Sequence, residues 1–331
     1  MLPIQRRKVL GGIAALGATT LAGTAGPAWA QAAPKGKLGP RLKIVIPGIS
    51  RSPLDEAGRA LGDALVGMGL TDEIDYENRE GKGGTLGLAY YAEKYSADPN
   101  TFLMGDMTLV DALALQKPAV DLSRVQPVAR LTTDYLVVVV AASSPVKTIN
   151  DLAERLRSSP KQAVLGIGSM GGVDHVFAGL LNKAAGGKPE DLMCQPFARS
   201  FEMVDAVIGG KVLAGIAGYS PLKSELASGK LRALGVSSKR TTHGIKAIRE
   251  QGLDLDLANW HAVFTGKNVA AARQAERVEA VTMATSYELW QKTVKQNYWE
   301  AAWLSGSGLT GFIDLDVKTA QVIVQLLKLK V

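Results

Sequence analysis

From Leu42 to Leu65 the chain spells a strand, a polar loop and a helix, a unit that belongs in an α/β sheet. Lys43-Ile44-Val45-Ile46 is a short apolar run of the kind that forms a buried strand, and Pro47-Gly48 ends it. Ser52-Pro53-Leu54-Asp55 then combines three helix-start signals: Ser as N-cap, Pro at the first helical position, and an acid three residues after the cap. Leu54, Gly58, Leu61 and Leu65 follow at helical spacing and give one apolar stripe. Amides at a helix start have no helical partner, and the dipole favours negative charge there. Gly48, Ser50, Arg51 and Ser52 are therefore a candidate anion cradle. An ordinary solvent-capped helix start is the plain alternative.

The same arrangement of strand, small polar loop and helix start recurs at 105–108 and 168–172, adding Met107, Thr108, Ser169, Met170 and Gly171 as candidate ligand contacts. In open α/β sheets, ligands settle beyond the carboxyl ends of strands where such loops gather. Three converging helix starts would each contribute roughly 0.3–1 kcal/mol toward an anion. Micromolar binding requires about 8 kcal/mol, so direct hydrogen bonds and an apolar wall must supply most of it.

The remaining chain alternates in the same way. Strands are expected at 73–78, 101–104, 125–142, 163–167, 212–217 and 232–236. Leu136-Val137-Val138-Val139-Val140 is the most β-prone run. Helices are expected at 85–96, 109–116, 148–156, 173–185 and 201–208, with another opening at Ser220-Pro221. Gly81-Lys82-Gly83-Gly84 is a flexible turn. From Thr241 onward the pattern is mostly helical and ends in a striped helix over 316–329.

Residues 1–30 are an export signal, expected to be cleaved: Arg6-Arg7-Lys8, an apolar segment from Val9 to Leu21, and Ala28-Trp29-Ala30 as a small-x-small cleavage site. The paired arginines favour the twin-arginine route. A linker, 31–40, follows. No later run approaches the roughly 18 apolar residues that span a bilayer, so the mature protein is expected to be free in the periplasm. Removing the three leader charges lowers the formal +7 to about +4. The remaining basic residues are scattered among acids, which argues against nucleic acid and suits a small anion.

The residues offer little for catalysis. His175, His243 and His261 lack metal-ligand spacing, and no metal or cofactor is expected. Ser169 sits on a strand-to-helix turn, but Ile167 breaks the G-x-S-x-G elbow of hydrolases. Gly81-Lys82-Gly83-Gly84-Thr85 lacks the order of a phosphate-binding P-loop. The single cysteine, Cys194, excludes an internal disulfide and reads as a buried, inert thiol.

Several segments, in order, resemble the Bug-type (TctC-like) receptors, the extracytoplasmic solute-binding components of tripartite tricarboxylate transporters. Pro47, Gly48, Asp55 and Arg59 match the family's opening loop and helix. Glu77-Asn78-Arg79-Glu80-Gly81-Lys82-Gly83-Gly84 matches its Glu-Asn-Arg-Pro-Gly-Ala-Gly-Gly segment. Asp98 to Phe102, Pro127, Ser144 to Leu152, Gly168-Ser169 with His175, Gly229 to Leu234, Glu250-Gln251-Gly252 and Trp260 also fit. The resemblance implies a two-lobe periplasmic binding protein of the type II kind, each lobe a mixed sheet flanked by helices. It places 41–139 plus 240–331 in one lobe and 140–239 in the other, joined by hinge crossings near 136–142 and 236–240.

By the same resemblance the protein is not an enzyme. It is a monomeric receptor that closes on a carboxylate and delivers it to a membrane permease; a periplasmic sensor presenting its ligand to a kinase, or a hydrolase on a similar frame, are the alternatives. The departures fall beside the expected pocket. The first loop is two residues longer and carries Arg51, the usual Tyr-Arg-Gly is Phe197-Ala198-Arg199-Ser200, and the usual aspartate is Leu213. Arg51 and Arg199 are candidate carboxylate partners, since guanidinium matches carboxylate bidentately; two solvated surface arginines are the alternative. Tyr219 completes the candidate set.

Overall fold

A computed structural model describes residues 37–329. The leader at 1–30 and the first part of the linker lie outside the described residues. The elements are β1 (Arg41–Ile46), α1 (Pro53–Gly67), β2 (Glu73–Asn78), α2 (Thr85–Lys94), β3 (Thr101–Asp106), α3 (Met107–Gln116) and β4 (Val125–Ala141). They continue with α4 (Ile149–Ser158), β5 (Leu165–Ile167), α5 (Val173–Ala184), β6 (Cys194–Pro196), α6 (Ser200–Ile208), β7 (Ala214–Gly218), α7 (Lys223–Ala227) and β8 (Leu231–Val236). The last are β9 (Ala258–Gly266), α8 (Ala271–Ser286), α9 (Glu288–Gln296), β10 (Glu300–Ser305) and α10 (Gly306–Leu327).

The strands hydrogen-bond in the order β2-β1-β3-β9-β4-β7-β5-β6, with β8 and β10 also pairing with β4. β1 runs parallel to β2 and β3, while β9 is antiparallel to β3 and β4. At 17 residues β4 is far longer than the usual 5–6. Its first part, Val125 to Tyr135, pairs with β9 and β10; its second, Leu136 to Ala141, pairs with β7 and β8.

Side-chain alternation along the strands divides the core. Ile44 and Ile46 pack with Leu61, Leu65 and Trp290 beneath α1, α8 and α9, whereas Val45 belongs with Leu109 and Ile313 beneath α3 and α10. Val137 and Val139 pack toward α6, Val138 and Val140 toward α4 and α5. Cover on both faces explains why the 136–140 run is apolar throughout.

The helix starts form as their residues dictate. Ser52 caps α1 by accepting from the Asp55 amide at 3.3 Å, with Pro53 at the first helical position. Thr148 and Asp151 make a reciprocal capping box at α4. The C-terminal third differs from the expected helical pattern, because β9 and β10 interrupt it and β9 sits mid-sheet. Asn259, His261 and Thr265 break the apolar run of β9, yet all three are buried. Asn259 donates to Asp134 Oδ1 at 2.8 Å, and His261 Nδ1 lies 2.9 Å from Thr132 Oγ1, so two of them have polar partners in β4. The last helix starts at Gly306, ten residues before the expected 316; Gly306, Gly308 and Gly311 are poor helix formers and mask its first turns in the sequence.

Where β4 changes partners, Ser237 fastens it. The Ser237 hydroxyl accepts from the Leu136 amide at 2.9 Å and donates to the Leu257 carbonyl at 2.5 Å. The Ser237 amide donates to the Leu136 carbonyl at 2.8 Å, and the Leu257 amide donates to the Ser237 carbonyl at 2.9 Å. Ser237 is fully buried, so no water replaces a lost partner. We expect Ser237→Ala to cost roughly 1–3 kcal/mol, the penalty for leaving buried backbone groups unpaired, read as a lower urea midpoint with an unchanged slope.

Candidate functional site

The three strand-to-helix junctions are each stabilised by an acid of the chain itself. At the first, the buried Asp55 carboxylate accepts from the Arg51 amide at 2.7 Å, Arg59 Nε at 2.9 Å and Asn78 Nδ2 at 2.9 Å. Burial opposes its ionisation, but the bonds from Arg59, the Arg51 amide and Asn78 outweigh it and hold the carboxyl below its usual range. Arg51 adopts a left-handed backbone (φ 65°) so that its amide can point at Asp55. The Gly48 amide donates back to the Ile46 carbonyl at 2.8 Å. The loop therefore satisfies much of its own donor capacity.

At the second junction Asp106 caps α3, accepting from the Leu109 amide at 3.0 Å. The Met107 amide donates to Asn259 Oδ1 at 3.3 Å, and Asn259 in turn donates to Asp134. Burial, assisted by the neighbouring Asp134 and Asp174 charges, pushes the Asp106 carboxyl up to about 7 against the Leu109 bond. At the third, the half-buried Asp174 accepts from the Gly168 amide and from its neighbour His175's amide at 3.0 Å. Burial raises it to about 6 despite those bonds. Gly171 (φ 83°) turns its amide onto His175 Nδ1 at 3.0 Å, and burial keeps that imidazole's pKa low, as a neutral acceptor requires.

The second and third junctions meet. A Cβ on Gly172 would lie 2.9 Å from Thr108 Cγ2, and one on Gly171 would lie 3.1 Å from Leu115. The 81–84 turn packs on the same helix, for a Cβ on Gly83 would lie 2.6 Å from the Ala112 Cβ. Between turn and loop opens a cavity of about 880 Å³. Lys82, Gly83 and Gln116 line one side, Gly168 and Ser169 the other. Leu115, Met170, Pro196 and Ala198 supply apolar wall.

Of the residues singled out from sequence, Ser169 and Met170 line this cavity, and Thr108 and Gly171 make the contact behind it. Met107 is buried at the α3 start. Gly48, Ser50, Arg51 and Ser52 lie on the first junction, which reaches the 81–84 turn through Pro47: a Cβ on Gly84 would lie 3.0 Å from the Pro47 carbonyl. They are not part of the cavity lining. Arg199 is exposed at the start of α6, next to Ala198, with its amide on Glu202. Tyr219 stacks on His243 and meets Tyr298 edge-on, at ring-centroid distances of 4.8 and 4.6 Å. Lys82, Gln116, Leu115, Pro196 and Ala198 were not among the candidates; a cation set between glycines was the signal available for Lys82.

The nucleophile and base of a hydrolase are not assembled. His175 Nδ1 is occupied by the Gly171 amide, and among the described residues no hydrogen bond joins Ser169 to His175. No helix among the described residues is long and apolar enough to cross a membrane.

A family model described as "Tripartite tricarboxylate transporter family receptor" matches residues 65–329. Protein BugT of Bordetella pertussis (strain Tohama I) is 26% identical over 234 residues, 68% of this chain and 70% of BugT. Two solved structures from Rhodopseudomonas palustris are similar in fold. MatC (Rpa3494) with bound malate has a TM-score of 0.74 at 20% identity, over 86% of this chain and 99% of MatC. Rpa4515 with adipate has a TM-score of 0.78 at 18% identity, over 87% of this chain and 98% of Rpa4515. The architecture is the mixed α/β fold of periplasmic binding proteins.

A carboxyl whose pKa rises on folding keeps its proton in the native state after the unfolded chain has lost it. Its penalty is absent below the unfolded value of 3.8 and complete above the folded value of about 7. Asp106→Asn retains an oxygen to cap α3 and removes that ionisation. We expect its stability relative to wild type to improve as pH rises from 4 to 8, by on the order of 2–4 kcal/mol at about 1.4 kcal/mol per pKa unit. Urea unfolding at a series of pH values reads the difference; a flat difference would exclude the buried-acid account.

Proposed function

The chain belongs to the tripartite tricarboxylate transporter receptor family, and from that premise we propose that it captures a carboxylate-containing small molecule in the periplasm and delivers it to a membrane permease. Membership makes it a solute receptor, a binding protein and not an enzyme. The observation that carries the ligand assignment is the cavity, large enough for a small organic acid and walled from elements on both sides of β4. Its lining combines an ammonium, an amide and a hydroxyl with four apolar side chains, a composition suited to an organic anion. MatC with malate and Rpa4515 with adipate support a carboxylate on this fold.

The lobes would be 41–139 plus 240–331 and 140–239, and capture would be a closure of one on the other about β4 and the 236–240 crossing. The change of partners at Leu136 and the Ser237 fastening support a pivot there, since both crossing strands are tied at one point. Delivery to a permease rests on family membership, and the periplasmic location on the leader together with the binding-protein fold.

Thermal unfolding of the mature protein with malate, adipate, hexanoate, benzoate and citrate, each at millimolar concentration, tests ligand capture. A ligand present at a hundred times its Kd adds about 2.7 kcal/mol to native stability, which for a chain of this length raises Tm by roughly 5 °C. At least one of the acids should produce such a shift. No shift with any of them would overturn the carboxylate assignment.

A further inference from the structure

We infer that Lys82 is the ligand's cationic partner, its ammonium pairing with one carboxylate of an acid whose apolar body lies along Leu115, Met170, Pro196 and Ala198. The inference deepens the receptor reading and rests on it. Among the side chains lining the cavity, Lys82 alone carries a charge. It is exposed, and its ammonium makes no ion pair among the described residues.

The backbone beneath it is the second observation. Gly81, Lys82, Gly83 and Gly84 have φ of 122°, 49°, 64° and 93°, so a lysine occupies the middle of a left-handed run that glycine would make without cost. The conformation is held by its surroundings. The Lys82 carbonyl accepts from Gln116 Nε2 at 2.8 Å and from Thr85 Oγ1 at 3.1 Å. Strain that neighbouring groups over-determine is characteristic of ligand-holding sites. Here the clamp is Gln116, itself in the cavity wall, and it fixes the direction in which the lysine leaves the backbone.

The opposite wall directs the anion toward Lys82. The Gly168 and Gly171 amides are already engaged by Asp174 and His175, which takes two of that loop's donors from a ligand charge and leaves no cation on that side. The polar side chains of the lining are Lys82, Gln116 and Ser169, so a ligand rich in hydroxyls or carrying a third carboxylate would find few partners beside Leu115, Met170 and Pro196. The ligand class is therefore an aliphatic or aromatic mono- or dicarboxylate, with citrate-like tricarboxylates disfavoured.

Calorimetric titration of wild type, Lys82→Gly, Lys82→Met and Lys82→Arg with adipate, hexanoate, benzoate and citrate tests this. Wild type should bind at least one of the first three about tenfold or more tighter than citrate. Lys82→Met and Lys82→Gly should bind that acid about 10- to 100-fold more weakly, the range of a lost charged hydrogen bond, whereas Lys82→Arg should stay within about fivefold because guanidinium also pairs with carboxylate. Lys82→Gly accepts the left-handed backbone and should unfold in urea no earlier than wild type, so its weaker binding cannot be a folding defect. Equal affinity in wild type and Lys82→Gly overturns the inference and leaves the receptor reading standing, as does a wild type that prefers citrate. Binding of none of the four acids by wild type overturns the inference, and overturns the receptor reading as well when malate also fails to bind.

Discussion

One strand carries both halves of the sheet, and the placement of every loop around the cavity follows from it. β4 is paired with β9 and β10 up to Tyr135 and with β7 and β8 from Leu136, so the two sets of strands share a continuous backbone. Ser237 bridges Leu136 and Leu257 at the changeover through its hydroxyl, amide and carbonyl. Nearby, Asn259 of β9 binds Asp134 of β4 and the first amide of α3. These bonds set where α3 starts, and both the 81–84 turn and the 168–172 loop are packed against that helix. The cavity is thus a consequence of strand pairing, with its walls held at one end by buried hydrogen bonds.

Helix starts usually attract anions because their amides lack partners. Here the carboxyls of Asp55, Asp106 and Asp174 take that place, each accepting from at least one junction amide. Two consequences follow. The loops are rigidified without a ligand, which lowers the ordering cost of binding. Behind the cavity lining, Asp106 and Asp174 also have their proton affinity raised by burial and hold junction amides, so those amides contribute less to an incoming carboxylate than their number suggests. The positive charge must come from elsewhere, and Lys82 is the one side chain of the lining that provides it.

Much of the fold was legible because its signals are local. Ser52 with Pro53 and the β-prone 136–140 run each encode an element within a few residues, and each element forms there. β9 was hidden because Asn259, His261 and Thr265 interrupt its apolar pattern, and partners such as Asp134 and Thr132 lie over a hundred residues away. The start of α10 was hidden by its glycines. The candidate site divides in the same manner. Ser169 and Met170 were legible as a loop between strand and helix, a property of neighbouring residues. Arg51, Arg199 and Lys82 look alike in sequence as basic residues in polar loops; what separates them is whether the loop backs onto α3, which only tertiary packing determines.

The 81–84 turn shows how a small change at such a place can redirect a shared architecture. The family pattern that this segment resembles has alanine between its glycines, where this chain has Lys82. Either residue meets the same backbone penalty at a φ of 49°, because the clash arises at Cβ. The Gln116 and Thr85 bonds to the carbonyl hold the turn whatever the side chain is. Lysine therefore adds a charge to the cavity with no further backbone cost, while the chain of hydrogen bonds that shapes the walls stays unchanged. A fold that fixes its loops through buried partners leaves such positions free to vary, and ligand choice can shift there without disturbing the frame.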